Sequence, residues 1–164
     1  MEKENLLLLI SEIQESRIVL KRINNLYTSY HDAFINYGSR ELRDAVLLSD
    51  ILCNTYTCLE TILFRISRVF ENHLDANQWH KELLRKMQLE VPGIRKEVLS
   101  HESYQLLDEL RRFRHFKRYY YDFDYDWSKL DYLRGIYDRL LPLINLDLNT
   151  FSDFLLECSA IEDF

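Results

Sequence analysis

Apolar residues recur every three or four positions along most of this chain, which is the spacing of one face of an α-helix. From Glu4 to about Tyr37 the series is Leu6, Leu9, Ile13, Leu20, Ile23, Tyr27, Tyr30 and Phe34, with Ser16 as its one polar gap. Only three glycines and two prolines occur among 164 residues, too few for the many turns of a β-sandwich or barrel. The sequence therefore predicts an all-α protein whose first long helix runs from Glu4 to about Tyr37.

A second long helix is predicted after the break at Tyr37-Gly38-Ser39, with Ser39 as its cap. Its inner face is formed by apolar side chains at helical spacing: Leu42, Val46, Leu47, Ile51, Tyr56, Leu59, Ile62, Leu63, Ile66, Val69 and Phe70. The middle of this helix is apolar on nearly every side. That composition is typical of a helix at the centre of a bundle, or of one buried at a dimer contact.

Shorter helices are predicted in the second half of the chain. They cover residues 78–87, about His101 to Tyr121, about Trp127 or Ser128 to Leu141, and Leu148 to Ala160. Ser100 is a candidate cap for the second of these, and Pro142 is expected to interrupt or kink the chain between the last two. Residues 1–164 are predicted to form one domain, an antiparallel bundle of four to six helices with two long N-terminal helices.

The cysteines and the N-terminus favour a cytoplasmic protein. Cys53, Cys58 and Cys158 are odd in number and form no CxxC pair, so we expect buried thiols in a reducing compartment rather than a metal site. The N-terminal apolar run has five residues and no basic segment before it, unlike a signal peptide. No window approaches 18 uncharged apolar residues, so no membrane-spanning helix is expected.

Positive charge is concentrated in residues 111–118, which hold five of the 21 Lys and Arg and no acid, although the net charge is −6. One side of the predicted helix carries Arg111, Arg114, His115 and Arg118. The opposite, packed side carries Leu106, Leu110, Phe113 and Tyr120, with Phe116 at its edge. Like charges this close repel one another, and an anion relieves that repulsion. Arginine binds phosphate through two parallel hydrogen bonds.

Three interpretations of this basic side remain open at this point. The arginines pair with Asp108, Glu109, Asp122 or acids on other helices, or they bind the phosphate of RNA or a nucleotide, or they bind an acidic protein partner. Charge and periodicity do not choose among these.

Three separated segments carry a family resemblance: NQWHKELLRKM, VPGIRKEVLS and DELRRFRHFKRYYYDFDYDW. In this order and spacing they resemble the HepT-like branch of the HEPN superfamily, over roughly Ala45 to Leu141. The resemblance implies an all-α fold, a homodimer formed through the signature helices, and a metal-independent endoribonuclease with no cofactor. It also implies a toxin whose partner is a cognate minimal nucleotidyltransferase, the antitoxin.

The family signature is an arginine followed, after four to six residues, by a histidine that often continues as His-x-Tyr. Arg114 matches the arginine, Tyr119 stands at the histidine position, and Tyr121 matches the tyrosine. The resemblance implies that Arg114 stabilises charge on the reacting phosphate. A phenol transfers protons poorly near neutral pH, so either catalysis is impaired or lost, or His115 takes over; Tyr119 itself is the less favoured candidate.

The resemblance assigns further residues to RNA binding and regulation. Arg111, Arg118 and Lys117 are expected to guide the RNA backbone, although Lys117 lies nearer the packed side. Tyr119, Tyr120 and Tyr121 are candidates for modification by AMP, with Tyr121 favoured, unless the tyrosines are ordinary core or interface aromatics. His80 is expected to be a packed or capping polar residue. The alternative function is a catalytically impaired HEPN module that binds RNA, a nucleotide or a nucleotidyltransferase partner.

Overall fold

The computed structural model describes residues 3–70, 79–119 and 124–161 of the chain. Their helices are α1 (Lys3–Ser29), α2 (His31–Ile35), α3 (Leu42–Phe70), α4 (Trp79–Met87), α5 (His101–Tyr119) and α6 (Trp127–Ile161). The described part of the chain contains no β-strand, only an isolated bridge between Val91 and Arg95. The all-α prediction is therefore confirmed.

The long helices pack as antiparallel neighbours, as the contacts between α1 and α3 show. Glu12 lies 3.6 Å from Arg65, and the carbonyl of Ser16, one turn later on α1, accepts a bond from the Cys58 thiol, earlier on α3. Residue numbers therefore rise along one helix as they fall along the other. All six helices contribute to one continuous hydrophobic core, which extends from Leu6 to Leu155.

Helix α3 lies at the centre of this bundle and contacts all five other helices. Its most deeply buried apolar side chains are Ala45, Leu48, Ile51, Leu52, Tyr56, Leu59, Ile62, Leu63 and Ile66. By length and hydropathy α3 would also suffice to cross a membrane, but 56% of its apolar window is buried inside the bundle. A core helix passes the same test, and the central position predicted from its composition is confirmed.

The predicted single helix from Glu4 to Tyr37 is wrong, because α1 ends at Ser29 and a short α2 follows. At the break, the backbone N–H of Tyr30 is shared between the carbonyls of Leu26 and Tyr27, an arrangement common at helix ends. Phe34 of α2 is completely buried, with its ring centroid 5.8 Å from that of Tyr27. The free energy gained by burying this aromatic ring is larger than that lost by breaking the helix at Tyr30.

The predicted cap at Ser39 is also wrong, because α3 begins three residues later, at Leu42. The Asp44 carboxylate accepts a hydrogen bond from the backbone N–H of Glu41 at 2.9 Å. This is the reciprocal half of a capping box, in which an acid in the first turn satisfies the preceding N–H group. A carboxylate in that turn also faces the positive end of the helix dipole.

Two other helix starts are confirmed. The hydroxyl of Ser100 accepts a hydrogen bond from the backbone N–H of Ser103 at 3.2 Å, directly before α5 begins. Helix α6 begins at Trp127, where the Asp126 carboxylate accepts a hydrogen bond from the N–H of Ser128 at 2.8 Å. Both are the side-chain caps that serine and aspartate favour.

The predicted separation of two helices at Pro142 is wrong, since α6 runs from Trp127 to Ile161 with the proline inside it. Proline removes one helical hydrogen bond at a cost of roughly 3 kcal/mol. Leu140, Ile144 and Leu148 are each almost fully buried on one face that passes the proline on both sides. Their burial, at about 1.5–3 kcal/mol each, is larger than that cost.

Two glycines are expected to respond in opposite directions to alanine. Gly135 lies inside α6 with open space where a Cβ would project, so Gly135→Ala should raise the free energy of unfolding by about 1 kcal/mol. Gly93 has a φ of 75°, so Gly93→Ala should lower it by about 1 kcal/mol. Urea unfolding of both variants measures this; a loss of stability in Gly135→Ala would contradict the helical environment described for it.

Candidate active site

A buried carboxylate, Glu60 of α3, lies where α3, α4 and α5 meet. Its side chain is 7% exposed and approaches Arg114 of α5, with Oε2 3.8 Å from Nη1. Its other oxygen, Oε1, accepts a hydrogen bond of 2.6 Å from the hydroxyl of Tyr56 and a short one involving Nδ1 of His80. We call these four residues the Glu60 cluster.

Helical spacing explains how the cluster forms. Tyr56 and Glu60 are four residues apart on α3 and therefore lie on one side of it. On α4, the residues that follow His80 at intervals of three, four and seven are Leu83, Leu84 and Met87, all fully buried. His80 thus sits at the start of the apolar face of α4 and is directed toward α3.

The segment after α4 holds that helix in place. Arg95 is 3% exposed, and its guanidinium donates hydrogen bonds to the carbonyls of Leu89 at 2.8 Å and Lys86 at 3.0 Å. The backbone N–H of Val98 donates to the carbonyl of Met87 at 2.8 Å. These bonds satisfy carbonyls at the end of α4, which fixes the position of His80 against Glu60.

The polar groups of the Glu60 cluster form hydrogen bonds with one another in a buried setting. Burial, followed by the hydrogen bond to Glu60, raises the pKa of Tyr56 well above its usual value. The phenol therefore stays protonated at neutral pH and donates to the carboxylate. The Arg114 guanidinium lies 5.6 Å from the centroid of the Tyr56 ring, a cation–π distance. A buried carboxylate requires such partners.

Several bases of α5 are paired with the protein's own acids. Arg111 donates to the buried Asp108 carboxylate at 2.6 Å, and Arg112 donates to the same group at 2.9 Å. Lys117 reaches across to Asp50 of α3 at 2.7 Å. For Arg111, the interpretation of the basic side as internal ion pairs is confirmed. Arg112 and Lys117 lie off that side and are paired as well.

The basic side of α5 is only partly exposed. The side chains of Arg111 and Arg114 are only 20% and 28% exposed, because acids on α5 itself and on α3 draw them inward. His115 and Arg118 are exposed. Arg118 forms no ion pair with any carboxylate in the described part of the chain.

Unlike Arg111 and Arg112, Arg114 keeps its hydrogen-bond donors available. Its 3.8 Å separation from Glu60 exceeds the 2.7–3.2 Å of an N–H···O bond, and no other acceptor among the described residues bonds to it. The guanidinium is thus attracted by the charge of Glu60 but forms no hydrogen bond to it. An incoming phosphate would meet a positioned arginine with free donors.

Two predicted site residues cannot be placed. Tyr119 is the last residue of α5, but its side chain lies outside what the structure describes, and Tyr121 belongs to residues 120–123, which are also outside the described ranges. Their roles in proton transfer and AMP modification stay predictions.

Other reactive groups are dispersed. Within residues 3–70, 79–119 and 124–161, no three His, Cys, Asp or Glu side chains gather as metal ligands would. Cys53, Cys58 and Cys158 are free thiols that are half-buried rather than fully buried. Burial raises the pKa of Cys53 and Cys58, which makes both poor nucleophiles.

The sequence predicts a packed or capping role for His80, and it does not single out Glu60. Two signals were present: a histidine in line with the apolar face of α4, and a carboxylate on the otherwise apolar inner face of α3. A buried acid needs a hydrogen-bonded or cationic partner, but periodicity alone cannot identify a partner that is 20 or 54 residues away along the chain.

The chain is thus an all-α bundle in which a basic helix, α5, packs on a central apolar helix, α3. Residues 47–155 match the family described as HepT-like protein, and the match covers more than half of the chain, including Glu60, His80 and Arg114. The chain belongs to the HepT-like family, which is related to HEPN, and the resemblance seen in the sequence is confirmed. No curated protein and no solved structure matches the chain.

Proposed function

We propose that this protein is a metal-independent endoribonuclease that acts in the cytoplasm as the toxin of a toxin–antitoxin pair. The observation that carries the proposal is the state of Arg114, the signature arginine. It is partly exposed, positioned beside a buried carboxylate, and bonded through none of its donors to a described residue. This is the state required of a group that must bind phosphate.

In the proposed reaction, Arg114 stabilises negative charge that develops on the scissile phosphate. Arg118, exposed one turn further along α5, contacts the neighbouring backbone phosphate. Arg111 and Lys117 contribute less to RNA binding than the sequence suggests, because Asp108 and Asp50 already hold them at 2.6 and 2.7 Å. Their contribution is to fix the orientation of α5.

Membership of the HepT-like family supports the proposed partners. Two copies of the chain form a homodimer, in which one protomer and its partner each contribute an α5 helix to a shared RNA cleft. A minimal nucleotidyltransferase serves as the antitoxin. It adds AMP to Tyr121, which places negative charge and bulk beside the arginines and blocks RNA.

A second candidate function rests on Tyr119, which occupies the signature histidine position. If no other group transfers protons, the protein is a binding module that retains the dimer and its affinity for RNA, a nucleotide or the nucleotidyltransferase, without cleavage.

Incubation of the purified protein with RNA in EDTA separates the two functions. The nuclease produces fragments that end in a 2′,3′-cyclic phosphate and a 5′-hydroxyl, and Arg114→Ala does not. The binding module retains RNA without cutting it. Cleavage that disappears when EDTA is added would refute the metal-independent mechanism, and His115→Ala tests that histidine in the same assay.

A further inference from the structure

We propose that the groove between α1 and α6 binds a small phosphate-bearing ligand of the mononucleotide class. Two cations of α1, Arg17 and Lys21, line this groove, which has a volume of about 410 Å³. That volume lies within the range of small-molecule sites. The groove is separate from the Glu60 cluster, and its ligand does not depend on the ribonuclease function.

Arg17 is a partly buried arginine that has no partner of its own. The other buried or partly buried arginines of the described ranges each have an acid within 3.8 Å or donate to backbone carbonyls: Arg40, Arg65, Arg95, Arg111, Arg114 and Arg134. Arg17 forms neither contact with any described group. The residues three and four positions away from it in α1 are Ile13, Gln14, Leu20 and Lys21, so its own helix does not neutralise its charge.

The positive charge of the groove is not offset from α6 either. Lys21, one turn after Arg17, is exposed and forms no ion pair with a described residue, so two like charges lie side by side. Among the described residues, no acid lines the groove. The nearby acids of α6 are already bonded, since Asp138 accepts from Tyr27 at 2.7 Å and Asp147 accepts from Ser100 at 3.0 Å. A phosphate would relieve the repulsion and receive charge-assisted hydrogen bonds.

The rest of the groove suits the organic part of a mononucleotide. Ile18, 54% exposed, and Leu141 provide apolar surface beside the cations. The amide nitrogen of Asn145 donates to the carbonyl of Leu141 at 3.0 Å, so its amide oxygen is left to accept from a base. Gln14 brings a second amide to the lining. Apolar surface with a few polar groups is the usual composition of a small-molecule site.

The position of the groove favours a small ligand over the RNA bound at Arg114. Helix α1 contacts α3 and α6, as α5 does, but α1 and α5 do not contact each other in the described ranges. The α1–α6 groove therefore lies across the bundle from the α3–α5 contact, where Arg114 faces Glu60. An RNA strand held at Arg114 would have to pass around the bundle to reach Arg17 of the same protomer.

Isothermal titration of the full chain with AMP tests the proposal, with adenosine and inorganic phosphate titrated separately. AMP should bind at least about tenfold more tightly than either part alone, because it uses both the cations and the apolar surface. Arg17→Ala should weaken AMP binding by about tenfold or more, the usual effect of losing a hydrogen bond to a charged group. Lys21→Ala should weaken it as well.

Arg22→Ala is the matched control, because Arg22 lies on the same helix, is exposed and does not line the groove. It should bind AMP as wild type does, and so should Arg114→Ala. Arg17→Ala should keep the wild-type free energy of unfolding in urea and the wild-type affinity for a 2′-O-methyl RNA, since it removes no ion pair and lies away from Arg114.

Four results would overturn the inference. They are no AMP binding by wild type, equal AMP binding by wild type and folded Arg17→Ala, loss of AMP binding in Arg114→Ala, and inorganic phosphate binding as tightly as AMP. Each leaves the ribonuclease proposal standing, because RNA cleavage by wild type and its loss in Arg114→Ala are measured without AMP.

Discussion

Replacing Arg114 with alanine is expected to slow single-turnover RNA cleavage by about 100- to 1,000-fold, the usual effect of removing one preorganised group that stabilises transition-state charge. Arg114→Lys should recover only part of this loss. Lysine keeps the positive charge but lacks the planar pair of donors that fits a phosphate. The fold should survive both changes, because Glu60 keeps its bonds to Tyr56 and His80.

Arg112→Ala is the matched control for this prediction. Arg112 lies on the same helix, but its side chain is 63% exposed and bonded to Asp108, away from Glu60. Its removal should leave the cleavage rate within about threefold of wild type, since it contributes no transition-state contact. Equal losses in Arg112→Ala and Arg114→Ala would mean that α5 supplies general positive charge rather than one specific phosphate contact.

The second large effect concerns stability. Arg40 lies between α2 and α3, with a side chain that is 5% exposed. It forms two bonds to Asp131, of 2.8 and 2.6 Å, and a third, of 2.7 Å, to the carbonyl of Phe34. Its guanidinium also lies 4.2 Å from the ring centroid of Tyr37 and 4.3 Å from that of Trp127. The side chain therefore ties this connection to the start of α6.

Arg40→Ala should lower the free energy of unfolding by about 3 kcal/mol, because it leaves a partly buried carboxylate without its main partner. Arg43→Ala, three residues later, is the control. The Arg43 side chain is 77% exposed, so its surface pairs should contribute no more than about 0.5 kcal/mol. Urea unfolding of both variants measures the difference; similar small losses would show that the Arg40 contacts add little to stability.

Capping residues and hydrophobic spacing predict several of the helix starts in this fold. The start of α5 follows from Ser100, whose side chain caps the next turn. The start of α6 at Trp127 was also predicted, and the structure adds Asp126 as its cap. The central position of α3 is one of the two positions that its composition predicts, the other being a dimer contact. Ser39 is a reasonable cap by residue type, but Asp44 satisfies the backbone from inside the helix. The packing of α3 against the other helices decides which of these two residues caps it.

The candidate site shows where local patterns are insufficient. A helical wheel places Arg114 on the basic side of α5, yet its direction is set by Glu60, 54 residues earlier in the chain. Similarly, Arg40 is held by Asp131, 91 residues away. Contacts of this separation depend on how the helices pack, which the hydrophobic period does not encode.

The structure of the protein with a short RNA that carries 2′-O-methyl groups, and so cannot be cleaved, tests the central claim most directly. We predict that a phosphate oxygen lies within hydrogen-bond distance of Arg114. RNA bound elsewhere on the bundle, with Arg114 still directed only at Glu60, would contradict the account.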